Sequence, residues 1–480
     1  MFWPLLTVEL TLCGWILLVL AVDLWLPQER KGSLWAWTLA GIAVCGWLLV
    51  SHPLDGAFQD VFVVDGLSRY AKALFLITAA VVVVMTRAFP AISHTQSGAG
   101  QHHLPARIGA FYLLLLNALL GMLVLASVQD LLLLFLGLEL VTFSLYIMAA
   151  YLKSDARAIE AGMKYLVMGS VSSGFLVYGI ALLYGFAGST TFAAITQALA
   201  HGPAPLTAQA GMLLLLAGLG FKIAAVPFHL WVPDVYEGAP LPVVALLSAG
   251  SKMAGIFALT RVLYSVFPTL SWLWSPALAI MSAATLLYGN LAAIPQTNIK
   301  RLLGYSSIGH AGYLLMGLST GSLDGVAAVG YYLLAYLVSN LTVFLVIAIA
   351  SDQVGGEALD DYKGLSRRSG FLAAAMFLGL LSLAGVPPLA GFVGKLLVLL
   401  RTVESHRLWL VAIGAVNVAI SLYYYLMVIK RMYLDAPRTA APIRVDALSA
   451  TTLALLIVGI LAVGIFQEPF VRLIASAVRF

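Results

Sequence analysis

Charge is scarce in this chain. Only 10% of its 480 residues are Asp, Glu, Lys or Arg, where a soluble domain carries about 25%. That scarcity excludes a water-soluble enzyme and leaves no basic surface for a nucleic acid. Cysteine is nearly absent. Cys13 and Cys45 both lie in apolar runs, read as small core residues, and two thiols are too few for an iron–sulfur cluster or a disulfide framework. No glycine-rich dinucleotide fingerprint precedes a strand, and no pair of haem ligands recurs. The chain is therefore expected to bind no cofactor and no metal. Its opening, MFWPLLTVEL, has no basic stretch ahead of the apolar run, so it reads as a first membrane span rather than a cleaved signal.

What is present is hydrocarbon. The chain is 62% hydrophobic, and apolar runs of ~20 residues, enough to cross ~30 Å of bilayer core, recur along its length. The expected fold is an all-α polytopic membrane protein without a soluble domain. We count fourteen spans, near 4–26, 33–51, 69–87, 107–127, 128–151, 159–187, 209–230, 240–264, 272–294, 300–321, 326–350, 371–400, 407–433 and 446–470. Loops after odd-numbered spans hold fifteen Lys and Arg, loops after even-numbered spans four, Lys72 among them, and the tail two. Cytoplasmic loops collect Lys and Arg, so odd loops are expected inside and both termini periplasmic.

The spans divide into 1–106, a three-helix N-terminal segment; 107–266 and 267–433, five helices each; and 434–480, a last helix. An odd number of spans per block inverts the second block relative to the first, as in many transporters. The fourth helix of each block is unusual. Span 7 reads GLGFKIAAVPFHLW and span 12 SLAGVPPLAGFVGK, each joining a lysine (Lys222, Lys395) to proline (Pro227; Pro387 and Pro388). Proline removes a backbone donor and frees carbonyls that water or a cation can use. A structural kink is the plain reading of one such helix; two at matching places favour function.

Five ionisable side chains interrupt otherwise continuous hydrocarbon: Glu139, Lys164, Lys222, Lys252 and Lys395. A charge near the bilayer centre costs several kcal/mol, so such residues mark ion and proton pathways. Glu139 falls nine residues past Asp130, about 13 Å into its span. Lys222 and Lys252 fall near the middles of theirs, and Lys395 lies toward the outer side. Burial lowers a lysine's pKa and a neighbouring carboxylate raises it again, which lets the proton be held or released. Glu139 with Lys222 is the expected couple. Lys164 is four residues past Glu160 and fits an ordinary helical ion pair equally well. His229, seven residues past Lys222 and on its face if the helix continues, and His310 are secondary candidates, since imidazole relays protons near neutral pH. His94, His102 and His103 read as a solvated loop rather than a metal site.

The stretches GFKIAAVPFHLWVPDVYEGAP (220–240), SAGSKMAG (248–255), IPQTNIKRLLGYSSIGHAGYL (294–314) and LFLGLEL (134–140) resemble the antiporter-like membrane subunits of respiratory complex I. The resemblance runs through almost the whole chain. Of the three large subunits, lettered L, M and N, the L branch is longer. The M branch usually has glutamate where Lys395 stands, and FHLWVPDVYEGAP is nearest to the N wording. Val232 departs from the usual threonine and touches no titrating group.

The resemblance implies a pairing of Glu139 with Lys222, a hydrated line continued by Lys252, and an exit at Lys395. Quinone reduction elsewhere in the complex would drive the proton. NADH, FMN, iron–sulfur clusters and quinone would then belong to other subunits. The neighbours would be subunit M, the small subunit K and lipid, in a bacterial inner membrane. The alternatives are a cation/proton antiporter or membrane-hydrogenase subunit, a solute transporter with a midplane pocket, and an inert scaffold.

Overall fold

The computed structural model describes residues 3–52, 54–89, 92, 108–439 and 441–478, and they are almost entirely helical. The predicted loop histidines, His94, His102 and His103, and the terminal Phe480 lie outside the described residues. The chain groups into two compact units, Met1–Leu219 with Gly238–Val266, and Gly220–Glu237 with Phe267–Phe480.

The first unit holds α1 (Thr7–Trp25), α2 (Leu34–Ser51), α3 (Gly66–Ala88), α4 (Ile108–Ala126), α5 (Leu131–Ala149), α6 (Ala156–Ala187), most of α7 (Leu206–Ile223), and α8 (Leu241–Val266). Polar residues start these helices where they leave the apolar phase. Asp65 caps α3 in a capping box with Ser68, Asp130 accepts from the Leu132 and Leu133 amides of α5, and Asp155 caps α6. Each satisfies amides that a helix start leaves without partners. A hairpin of β1 (Gly56–Phe58) and β2 (Phe62–Val64) joins α2 to α3. It rests on the α4–α5 turn, where the Val63 amide donates to the Ser127 carbonyl at 2.8 Å.

The second unit holds α9 (Ser271–Ala293), α10 (Ile299–Ser319), α11 (Leu323–Val354), α12 (Gly370–Ala384), α13 (Ala390–Glu404), α14 (Leu408–Tyr433) and α15 (Ala447–Ile465). Asn298, Ser322, Ser369 and Asp446 cap α10, α11, α12 and α15. In the loop after α11, Asp360 meets Lys363 at 3.0 Å and Arg431 of α14 at 3.6 Å. The Lys363 hydrogen bond first, then the charges of Lys363, Arg431 and Arg438, hold the Asp360 carboxyl below the usual carboxylate range.

Burial separates helices that are alike in composition. The apolar core of α8 is buried throughout and that of α11 nearly so, while α1 and α6 are largely uncovered. A helix apolar all round is at home in either setting, inside protein or against lipid.

Among the described residues twelve helices are long and apolar enough to cross a membrane, two fewer than the predicted fourteen. The other two predicted spans fall on α10, which carries Lys300, Arg301, Ser306, Ser307 and His310 in its 21 residues, and on the interrupted α12–α13. The anticipated breaks in spans 7 and 12 are present. Helix α3 starts three residues earlier than predicted, and Lys72, counted above with the loop charges although inside the predicted span 69–87, stands in its second turn.

Candidate functional site

In the first unit Glu139 is partly exposed on α5, and its Oε1 accepts a hydrogen bond from Ser173 Oγ of α6 at 2.5 Å. Lys164 is half-exposed with its Nζ 2.8 Å from Glu160 Oε1, the helical pair that was its plainer reading. Lys252 is buried and begins the α-helical stretch that follows a π-helical turn, Leu247–Ser251. Such turns displace the regular backbone ladder and are frequent at functional positions.

This unit also buries charges that the sequence reading passed over. Lys72 Nζ lies 2.7 Å from Glu9 Oε1 of α1, with the Phe62 ring centroid 5.1 Å from the ammonium. Arg261, fully buried near the end of α8, donates from Nη2 to Asp65 Oδ1 and from Nε to the Ala126 carbonyl, both at 2.7 Å. Deleting one partner of a buried pair strands the other and costs roughly 3–5 kcal/mol.

In the second unit Lys222 is buried on the last turn of α7, its Nζ 5.7 Å from the Phe221 ring centroid. The helix stops one residue later, where Ala224 takes a positive φ of 62°. The released groups find local partners. Trp231 Nε1 donates to the Phe221 carbonyl at 3.1 Å, and the Val226 amide to Thr285 Oγ1 of α9 at 3.0 Å. The break overturns one expectation, because His229 does not continue the Lys222 face. It lies beyond the interruption, buried edge-on against Tyr288 with ring centroids 4.3 Å apart. A short helix, Val232–Gly238, follows, and Arg301 Nη1 donates to both Asp234 and Glu237 at 2.8 Å.

The second break places Lys395 in a different relation to its helix. Helix α12 ends at Gly385, whose φ of 89° closes it with a left-handed cap. Lys395 Nζ reaches back across the gap from α13 and donates to the carbonyl of Ala384 at 2.8 Å, with Ser421 Oγ of α14 at 3.4 Å and the Tyr313 ring centroid 5.1 Å away. The lysine thus satisfies a carbonyl that the break exposes. Gly464 of α15 closes over the gap; a Cβ there would lie 2.3 Å from the Pro388 carbonyl oxygen.

Beside Lys395 runs a buried chain of polar groups. His310 Nδ1 is 2.6 Å from Tyr332 Oη, and its Nε2 is 3.1 Å from Tyr425 Oη, which in turn contacts Ser306 Oγ. Tyr424 Oη donates to Asn290 Oδ1 at 3.0 Å, and Asn290 donates to Asn417 Oδ1 at 3.1 Å. The Tyr313 and Tyr332 rings lie 5.9 Å apart. Hydroxyls and imidazole both donate and accept, so each link can pass a proton as well as hold a bond. The structure therefore brings His310 and Lys395 into one tyrosine-lined cluster, while Glu139, Lys164 and Lys252 belong to the other unit.

Residues 128–421, which include both breaks and the cluster apart from Tyr424 and Tyr425, match the family described as NADH:quinone oxidoreductase/Mrp antiporter, TM. The chain belongs to this antiporter-like family. A member from Moorella thermoacetica named NADH-quinone oxidoreductase subunit N is 41% identical over 99% of this chain and 98% of its own length. One of the same name from Rhodospirillum rubrum is 41% identical over 88% and 85%. Among solved structures, a chain of Thermus thermophilus respiratory complex I superposes with a TM-score of 0.82 at 31% identity, covering 98% of this chain and all of that one. A chain of an archaeal membrane-bound sulfane sulfur reductase gives 0.84 at 25% identity, covering 100% and 97%. An antiporter-like chain with relatives of this kind is a membrane subunit of a multi-subunit complex.

Proposed function

We infer that this antiporter-like chain is a proton-translocating subunit of a bacterial NADH:quinone oxidoreductase. In this reading Glu139, Lys222, Lys252 and Lys395 carry the proton, and His310 serves the outer part of the path. Lys164 and His229 have weaker claims, one as a half-exposed surface pair and the other because the break removes it from the Lys222 face. The chain would bind no redox cofactor; NADH, FMN, iron–sulfur clusters and quinone would sit on partner subunits, with subunit M and subunit K as neighbours. The two five-helix blocks would be inverted repeats, and both termini periplasmic.

The observation that carries the reading is the second break. There a buried ammonium, a freed carbonyl, a hydroxyl and a tyrosine–histidine chain converge. A scaffold has no use for this arrangement. The identity to curated subunit N sequences favours the oxidoreductase over the related antiporters.

The test is Lys222→Ala in the intact complex. NADH-driven proton uptake by inverted membrane vesicles should fall at least several-fold while the complex still assembles. Glu139→Gln should act in the same direction, and the double substitution should be milder than the summed singles if the two titrate as a couple. Wild-type pumping in the Lys222 variant would sink the assignment.

A further inference from the structure

Lys252 poses an insulation problem, because its own helix leads to an ion pair that adjoins an exposed one. Nine residues along the α-helical part of α8, about 13 Å at ~1.5 Å per residue, stands Arg261, paired with Asp65. Asp65 lies within a turn of Arg69, whose partner Asp55 is well exposed to solvent. A proton leaving Lys252 toward that exposed pair would have to pass along this stretch of α8 and then by Arg261 and Asp65.

Two things occupy that distance, both within the first unit. Midway stands Phe257, 3% exposed, its ring edge-on to Tyr70 at 6.2 Å and to Phe75 at 5.9 Å on α3. Beyond it stands the Arg261 guanidinium, fully buried and fixed by Asp65 and the Ala126 carbonyl. Packed rings exclude the water file a proton needs. The positive charge of a guanidinium repels a hydronium approaching from outside, as positive side chains do in pores that exclude protons.

We propose that Phe257, Tyr70 and Phe75, backed by Arg261, form a proton seal that stops Lys252 from discharging directly to the nearby surface. The proposal rests on Lys252 being a proton carrier. Its working part is Phe257, the ring that touches both others. The seal supplies no proton and binds none; its effect is to leave transfer along the membrane as the only outlet.

The experiment uses the whole complex in proteoliposomes. A pH gradient is imposed without NADH and its decay followed for wild type, Phe257→Ala, Phe257→Leu and Phe257→Ala with Lys252→Ala. The alanine variant should leak several-fold faster than wild type at wild-type NADH oxidation. Leucine, which keeps most of the bulk, should stay tight, and adding Lys252→Ala should abolish the leak. Phe75→Ala, which opens the same contact from α3, serves if Phe257→Ala reduces assembly. A tight membrane in the assembled alanine variant overturns the seal. A leak that persists without Lys252 also overturns it, since the protons then bypass the carrier. The carrier assignment fails separately, if Lys252→Ala alone pumps as wild type.

Discussion

At the scale of single residues, the second break depends on a position with no side chain. Gly385 adopts a φ of 89°, and a Cβ there would fall 2.9 Å from Lys395 Cδ and 3.4 Å from its Nζ. Alanine would add about 1–2 kcal/mol of left-handed strain and push the ammonium off the Ala384 carbonyl. Gly385→Ala should therefore lower pumping at least several-fold, and a variant that pumps normally would show that the Lys395 contact is dispensable. Lys395 itself separates titration from fixed charge. Lys395→Ala should lose pumping and Lys395→Glu should retain part of it, because a carboxylate also titrates. Lys395→Arg should do worse than Glu, since a guanidinium holds its proton too tightly to release it. Vesicle pumping with the three variants ranks them, and arginine equal to lysine would leave Lys395 only an electrostatic role.

At the scale of elements, the two broken helices solve one problem with different donors. In the first the Trp231 indole takes the Phe221 carbonyl; in the second the Lys395 ammonium takes that of Ala384. The indole cannot titrate, so the first site should be a structural pin. Trp231→Phe should lower the complex's thermal midpoint, reflecting about 1 kcal/mol for one lost hydrogen bond, since the Ala224 amide still donates to the Phe221 carbonyl at 3.1 Å. It should also leave the proton yield per NADH in surviving complexes near wild type, and a lost yield at unchanged stability would contradict the contrast. Both breaks were legible in the sequence because proline acts locally on its own turn. The Tyr313, Tyr332, Tyr424 and Tyr425 cluster was not, since uncharged side chains on three helices are aligned only by packing. Lys72 was counted with the loop charges because it stands just past the predicted span start, where a lysine usually reaches water. Arg261 escaped notice because it stands near a span end, where arginine usually reaches water. The hairpin at 56–64 is too short for alternation to register.

At the scale of the whole molecule, orientation is the property on which the direction of pumping rests. The loop after α11 is rich in basic residues, and Arg367 is exposed in its short helix, Leu365–Arg368. With Cys13 and Cys45 replaced by alanine, Arg367→Cys should resist an impermeant thiol reagent in cells with a permeabilised outer membrane and react in inverted vesicles. The opposite pattern would reverse the orientation and with it the assignment of Lys395 to the outer side.

The hydrogen bond from Lys395 to Ala384 joins two quantities usually treated apart. It ties the proton affinity of one amine to the angle between α12 and α13. Whatever flexes that joint must alter how tightly the amine holds its proton, and whatever changes the amine's charge must exert a force on the joint, with the same coupling free energy in both directions. A mechanical signal arriving along the membrane and a chemical potential difference across it would then be interconvertible at a single bond 2.8 Å long.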